Sequence, residues 1–318
     1  MTANSIGIEA PKSRLQLRVT LKSQYFRMSR ADDLDQALDA AVEDFEAGVM
    51  TGRHFEGSGI VVIGESGSGK TEEIDALFQR FGNKPEAMES GLSRKFLQHA
   101  LEGETTWKAL GLQMLQLLKY PLKAPRTEHE IWHRVRWQMK ERGIWLLHID
   151  ECQHMFQTLG SNESKKVINS IKTCMKDREW PILVVMSGVP ELLNVVNLDP
   201  QLRNLVTPIA FRTIDVANDL ADLDAAFVGY AGVADVNVDN LRHGEIYERM
   251  AHGHEYLFGR VFRFMVDAFA TLPEGKFSMT VQHLADCYAR KTGCIPGFNV
   301  FLKDDFLSCD VSKLMPSE

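Results

Sequence analysis

The sequence predicts an α/β protein: a parallel sheet covered by helices, followed by a smaller helical unit. Three observations predict it. The short apolar runs Ile60–Ile63, Ile144–Ile149 and Ile182–Met186 have the length and texture of strands buried on both faces. Segments of helical period separate them, and that alternation is the pattern of a parallel sheet. After Asp215 the strand texture stops and helical patterns follow.

In chain order, residues 1–30 read as an N-terminal arm. Met1–Arg14 is polar and carries Pro11, so it lacks the apolar centre of a signal peptide. Asp33–Glu46 places Leu34, Leu38, Ala41, Val42 and Phe45 on one helical face. Ile60–Ile63 is the first strand. The helix after it has Ile74, Leu77, Phe78 and Phe81 inward and stops at Gly82. Lys95–Leu101 reads as a strand, Trp107–Leu118 as a helix stopped by Pro121, and Glu128–Glu141 as a helix rich in Trp and Arg. Ile144–Ile149 ends in Asp150-Glu151. Ser164–Lys176 is amphipathic, Ile182–Met186 is the next strand, and Ile209–Ile214 a further one. The predicted organisation is an arm over 1–30, a nucleotide-binding domain over 31–215, a helical domain over 216–294 and a tail over 295–318.

The chain has 318 residues, enough for one large domain and a smaller one. Its 44% hydrophobic and 25% charged residues place it among soluble globular proteins. A net charge of −7 argues against a protein coated in nucleic acid, though it leaves room for a local basic surface. No apolar stretch is long enough to span a bilayer. Five cysteines without a CxxC pair fit reduced thiols, and a cytoplasmic location is expected.

Gly64-Glu65-Ser66-Gly67-Ser68-Gly69-Lys70-Thr71 matches GxxxxGK[ST] at every fixed position, between a buried strand and a helix. Its glycines let backbone N–H groups wrap a phosphate, and the helix N-terminus adds favourable partial charge. Lys70 is expected to reach the β- and γ-phosphates of ATP, and Thr71 to give its hydroxyl to Mg²⁺. A chance glycine turn is the alternative, and the strand–loop–helix context disfavours it. Asp150, ending an apolar strand, is expected near the metal, and Glu151 beside it to polarise a water for attack on the γ-phosphate. Ser187, at the end of the next strand, can bond the γ-phosphate or the water, or serve only the turn before Gly188 and Pro190. Arg203 can neutralise charge on the nucleotide of a neighbouring subunit, or be an ordinary surface arginine. Arg260 and Arg263, three apart on a predicted helix of the second domain, can fold back onto the phosphates or be solvated. Basic groups at Arg94, Lys95, Lys108 and Lys119, at Lys165, Lys172 and Lys176, and at Arg134, Arg136, Lys140 and Arg142 can bind DNA phosphates or form solvated faces. His252 and His254 lack a third metal ligand, and Cys152 reads as packing.

The order of these elements resembles AAA+ ATPases, and more closely the TniB family, ATPase helpers of DDE-type transposons related to TnsC and MuB. The resemblance rests on Gly64–Thr71, Glu130-Ile131-Trp132, Leu147–His154, Asn169-Ser170-Ile171-Lys172, Pro181–Val184, Ser187-Gly188-Val189-Pro190-Glu191 and Asp199-Pro200-Gln201-Leu202. It covers about residues 30–290. The sequence departs where the family has Arg-Phe after Asp-Pro-Gln-Leu, having Arg203-Asn204-Leu205, and where Arg260 follows Gly259. The resemblance implies a P-loop AAA+ domain with a small helical lid domain. It also implies ATP and Mg²⁺ as cofactors, homo-oligomers on double-stranded DNA as rings or filaments, and recruitment of a DDE transposase. A signalling or loader ATPase without DNA, or a small-molecule kinase, are the competing readings; the kinase would not need Arg203 acting in trans.

Overall fold

A computed structural model describes residues 13–273, 275 and 277–316. Of the segment expected as an N-terminal arm over 1–30, residues 1–12 lie outside the described residues. The elements run α1 (Arg14–Lys22), α2 (Ala31–Met50), β1 (Gly59–Gly64), α3 (Lys70–Gly82), β2 (Phe96–Ala100), α4 (Trp107–Leu117), α5 (Glu128–Arg142), β3 (Leu146–Asp150), α6 (Ser161–Met175), β4 (Leu183–Gly188), α7 (Leu192–Val196), α8 (Pro200–Leu205), β5 (Val206–Phe211), α9 (Val216–Ala234), α10 (Gly244–Gly253), α11 (Phe258–Ala270) and α12 (Val281–Thr292). They form two compact units. One is residues 30–212; the other joins the segment up to residue 29 with the chain from 213 onward.

The first unit holds a five-stranded parallel sheet in the order β2-β3-β4-β1-β5. Strand pleating assigns its two cores. Ile60, Val62, Leu146, Leu183 and Val185 face α2 and α3 through Leu38, Phe45, Ile74 and Phe78. Val61, Leu147, Ile149, Val184 and Met186 face the opposite core with residues of α4, α5 and α6. The helices start where the sequence supplies caps: Thr127 and Glu130 form a capping box for α5, and Thr106 caps α4. The fourth apolar run, expected over Ile209–Ile214, is displaced: β5 runs from Val206 to Phe211. As an edge strand, β5 tolerates Pro208. Ile214 is instead buried in the core of the second unit.

That second core collects Leu223, Phe227, Tyr247, Phe258, Met265 and Phe269 from α9, α10 and α11. Two segments read from the sequence as an arm and a tail contribute to it as well. Leu21 enters from α1, and Val300, Phe301 and Phe306 from the stretch after α12. No described helix is long and apolar enough to cross a membrane.

Candidate nucleotide site

The site is built at the C-terminal ends of β1, β3 and β4, where a parallel sheet opens its crevice. The loop from β1 to α3 holds Gly67 at φ 87° and Gly69 at φ 88°, conformations that a Cβ strains. Among the described residues, the N–H groups of Gly67, Gly69, Lys70 and Thr71 meet no acceptor. They are therefore available to an anion at the start of α3, and the residues present fit the phosphates of a nucleotide. Lys70 is buried and its ammonium donates to the carbonyls of Gly64 (2.6 Å) and Glu65 (3.1 Å). Burial lowers its pKa, opposed by the carboxylates of Glu151, Asp150 and Glu65.

Thr71 donates its hydroxyl to Asp150 Oδ2 at 2.9 Å, so the two expected metal-side groups stand together. The hard oxygen set suits Mg²⁺, which when bound would neutralise phosphate charge. Burial pushes the Asp150 carboxyl up, but hydrogen bonds from Ser187, Thr71 and the Glu151 N–H outweigh it and hold it below its ordinary value.

Ser187 stands near the end of β4, as its place in the sequence implies. Its hydroxyl is fully buried and donates to Asp150 Oδ1 at 2.5 Å. On its other side lies His148 Nε2 at 2.8 Å. Its proton is engaged by the carboxylate, not offered to a phosphate or a water. Glu151 follows β3 in a left-handed conformation, φ 55°, and its carboxylate accepts from the Gln153 side-chain amide. The Gln153 carbonyl oxygen in turn accepts from the Val189 N–H beyond β4, 3.3 Å away. Glu151 is half-buried, and its backbone N–H donates to Asp150 Oδ1 at 2.9 Å.

Residues 53–196 match the family described as AAA domain. The chain is also similar to three solved archaeal structures. They are Cdc6p from Pyrobaculum aerophilum (TM-score 0.58, 15% identity, covering 85% of this chain and 69% of that one), the Aeropyrum pernix ORC1 protein in complex with DNA (0.59, 14%, 86% and 69%), and the Aeropyrum pernix ORC2 protein in ADPNP–ADP complexes (0.58, 14%, 86% and 71%). The fold is that of an AAA+ ATPase. No curated protein matches the chain. At these identities the likeness is one of fold; together with the AAA-domain match it supports ATP hydrolysis as the activity.

In this AAA+ unit Arg203 sits on α8, a six-residue helix running into β5. Its side chain is exposed and has no hydrogen-bond or ion-pair partner among the described residues. The helix itself is pinned. Lys172 on α6 donates to Asp199 Oδ2 (2.7 Å) and to Gln201 Oε1 (3.1 Å), while Asp199 Oδ1 caps Leu202 N–H. Arg260 and Arg263 both lie on α11 of the helical unit. Arg260 pairs with Glu255, and Arg263 donates to the Gly259 carbonyl at 2.9 Å.

The basic groups are largely committed within the chain. Lys172 and Lys176 pair with Asp199 and Glu56, Arg136 with Asp177, and Lys140 with Glu179. Lys95 donates to the Arg142 carbonyl, and Arg142 to that of Leu118. Cys152 is buried, and burial pushes its thiol far up. His252 and His254 bond the carbonyls of Cys309 and Met250.

Sequence reasoning gave no role to His148, Gln98 or Gln153. A signal for His148 was present: it is the polar residue inside an otherwise apolar strand, two before Asp150 and hence on the same face.

Proposed function

We propose that this chain is a cytoplasmic ATP-dependent regulator of DNA transposition. In this reading it binds ATP with Mg²⁺, oligomerises on double-stranded DNA without reading sequence, recruits a DDE transposase and resets on hydrolysis. Gly64–Thr71 binds the phosphates, Thr71 and Asp150 serve the metal side, Glu151 polarises water, and Arg260 and Arg263 are the second unit's nucleotide-facing cations. The observation that carries the reading is Arg203, a cation without a partner among the described residues, on a helix fixed by Lys172 and Asp199. Such a group suits a nucleotide site completed by a neighbouring subunit. The Ser187–Glu191 and Asp199–Leu202 segments support the transposition family, and the DNA-bound ORC1 structure shares the fold.

A second reading, an AAA+ loader or signalling ATPase that remodels a protein partner without DNA, is favoured by the ion pairing of Lys172, Lys176, Arg136 and Lys140. One experiment separates the two. Filter binding of duplex DNA is expected to require ATP and to weaken steeply with salt. No DNA retention with ATP, with ADP or without nucleotide refutes the transposition reading and leaves the second.

A further inference from the structure

Six side chains form a polar chain beneath the nucleotide loop, its two ends on one helix. From Asp75 on α3 it passes to Gln98 on β2, His148 on β3, Ser187 on β4, Asp150 on β3 and back to Thr71 on α3. Strand pleating and register make it possible. Gln98 and His148 are paired across β2 and β3, and Ile149 pairs with Met186, which sets Asp150 beside Ser187. Gln98, His148, Asp150 and Ser187 therefore point to the face covered by α3. Thr71 and Asp75 are four apart and share the face of α3 that meets them.

The protons in the chain of bonds can be assigned by elimination. The Asp150 carboxylate only accepts, so the single Ser187 proton goes to Oδ1. The Ser187 oxygen must then accept, so His148 carries its proton on Nε2 and donates across 2.8 Å. A neutral imidazole has a lone pair on Nδ1, which accepts from the Gln98 amide at 3.2 Å. The second amide proton of Gln98 goes to Asp75 Oδ1, also at 3.2 Å. From Gln98 through His148 and Ser187 each donor points towards Asp150, which Thr71 meets from the other side. The imidazole is held flat by stacking on Phe78, with centroids 5.4 Å apart.

We propose that His148 is a positioning residue for Asp150: its Nε2–H fixes the Ser187 hydroxyl, which fixes the carboxylate against Thr71. This rests on the reading of Thr71 and Asp150 as the metal side of the ATP site. Groups that orient metal-side carboxylates through a hydrogen bond are worth about 10–100-fold in metal affinity or activity. Ser187 then acts through the carboxylate rather than on the γ-phosphate.

The test reads binding, not turnover. Fluorescently labelled ATP is titrated onto the full chain without Mg²⁺ and over a Mg²⁺ series. His148→Phe keeps the stack on Phe78 and removes both ring nitrogens. It is expected to raise the Mg²⁺ concentration for half-maximal tightening about tenfold or more, with Mg²⁺-free affinity unchanged. His148→Gln, which can restore a donor to Ser187, is expected to recover part of the shift. Adding Ser187→Ala to His148→Phe should shift it little further, because both act along one chain of bonds. A wild-type Mg²⁺ requirement in His148→Phe overturns the proposal, as does an equal loss of Mg²⁺-free affinity. Should His148→Phe not fold, Gln98→Leu and Ser187→Ala probe the same chain of bonds from either side, and a wild-type requirement in both overturns it. If Mg²⁺ does not affect the wild-type chain's affinity, the reading of the site fails instead.

Discussion

Replacing Glu151 by Gln removes one charge and almost none of the bonds that hold the site. Asp150 accepts from the backbone N–H of Glu151 at 2.9 Å, and that bond survives the change. Lys70 bonds the Gly64 and Glu65 carbonyls, not the Glu151 side chain. Its ammonium loses one of three opposing carboxylates. One such partly screened charge is worth about 1 kcal/mol, so ATP affinity should move by less than about tenfold, towards tighter binding because a negative neighbour is gone. Hydrolysis should respond far more. A positioned base contributes about 10²–10⁴-fold, or about 3–5 kcal/mol of barrier. Single-turnover hydrolysis beside equilibrium binding of labelled ATP separates the two effects. A variant that hydrolyses within about threefold of the wild type removes Glu151 from its role. A loss of affinity matching the loss of rate would show that the substitution had damaged the loop itself.

Arg203→Ala should lower hydrolysis about 10³-fold if the guanidinium serves a neighbouring nucleotide. Mixing it with Lys70→Ala subunits should restore part of the activity, since each supplies what the other lacks; normal hydrolysis by Arg203→Ala alone removes the intersubunit role. The pH dependence of stability follows from two buried imidazoles. Burial lowers the pKa of His148, and that of His254 to about 4, from an ordinary 6.5. The unfolded chain takes up these protons first, so stability is full above 6.5 and is lost as pH falls from 6.5 towards 4. Urea midpoints should therefore fall between pH 7 and 5 (about the window of these two pKa values), and an unchanged midpoint there would refute the assignment.

What the sequence disclosed follows the range of the constraint. The loop Gly64–Thr71 is a local rule, written in consecutive residues whose backbone angles demand glycine. The buried strands were legible for the same reason, as runs of β-branched and aliphatic residues. The polar chain through His148 was not, because it exists only when three strands reach one register, and no single strand encodes that. Ser187 shows the cost: its place at a strand end was readable, but whether its hydroxyl faces a phosphate or a carboxylate depends on its neighbour across the sheet. Edge position hid β5, whose exposed Thr207 and Pro208 dilute the apolar pattern. The lysines of α6 read as a basic face because their partners, Glu56 and Asp199, lie far away in sequence.

The division of the chain has a consequence for how it is made. The sheet unit is contiguous, residues 30–212, so a ribosome releases all of its core before the helical unit is complete. Helix α1 is synthesised first and yet packs in a core whose other buried members, Met28 apart, come after residue 213. Leu21 must wait, exposed, until about 190 further residues have emerged, and the entropy of closing so long a loop grows only logarithmically with its length. The topology thus lets the nucleotide loop form before the first helix has a core to dock on. Gene fragments should respect this. Residues 30–212 can be expressed as a block, whereas a cut at residue 213 leaves the helical unit without its α1.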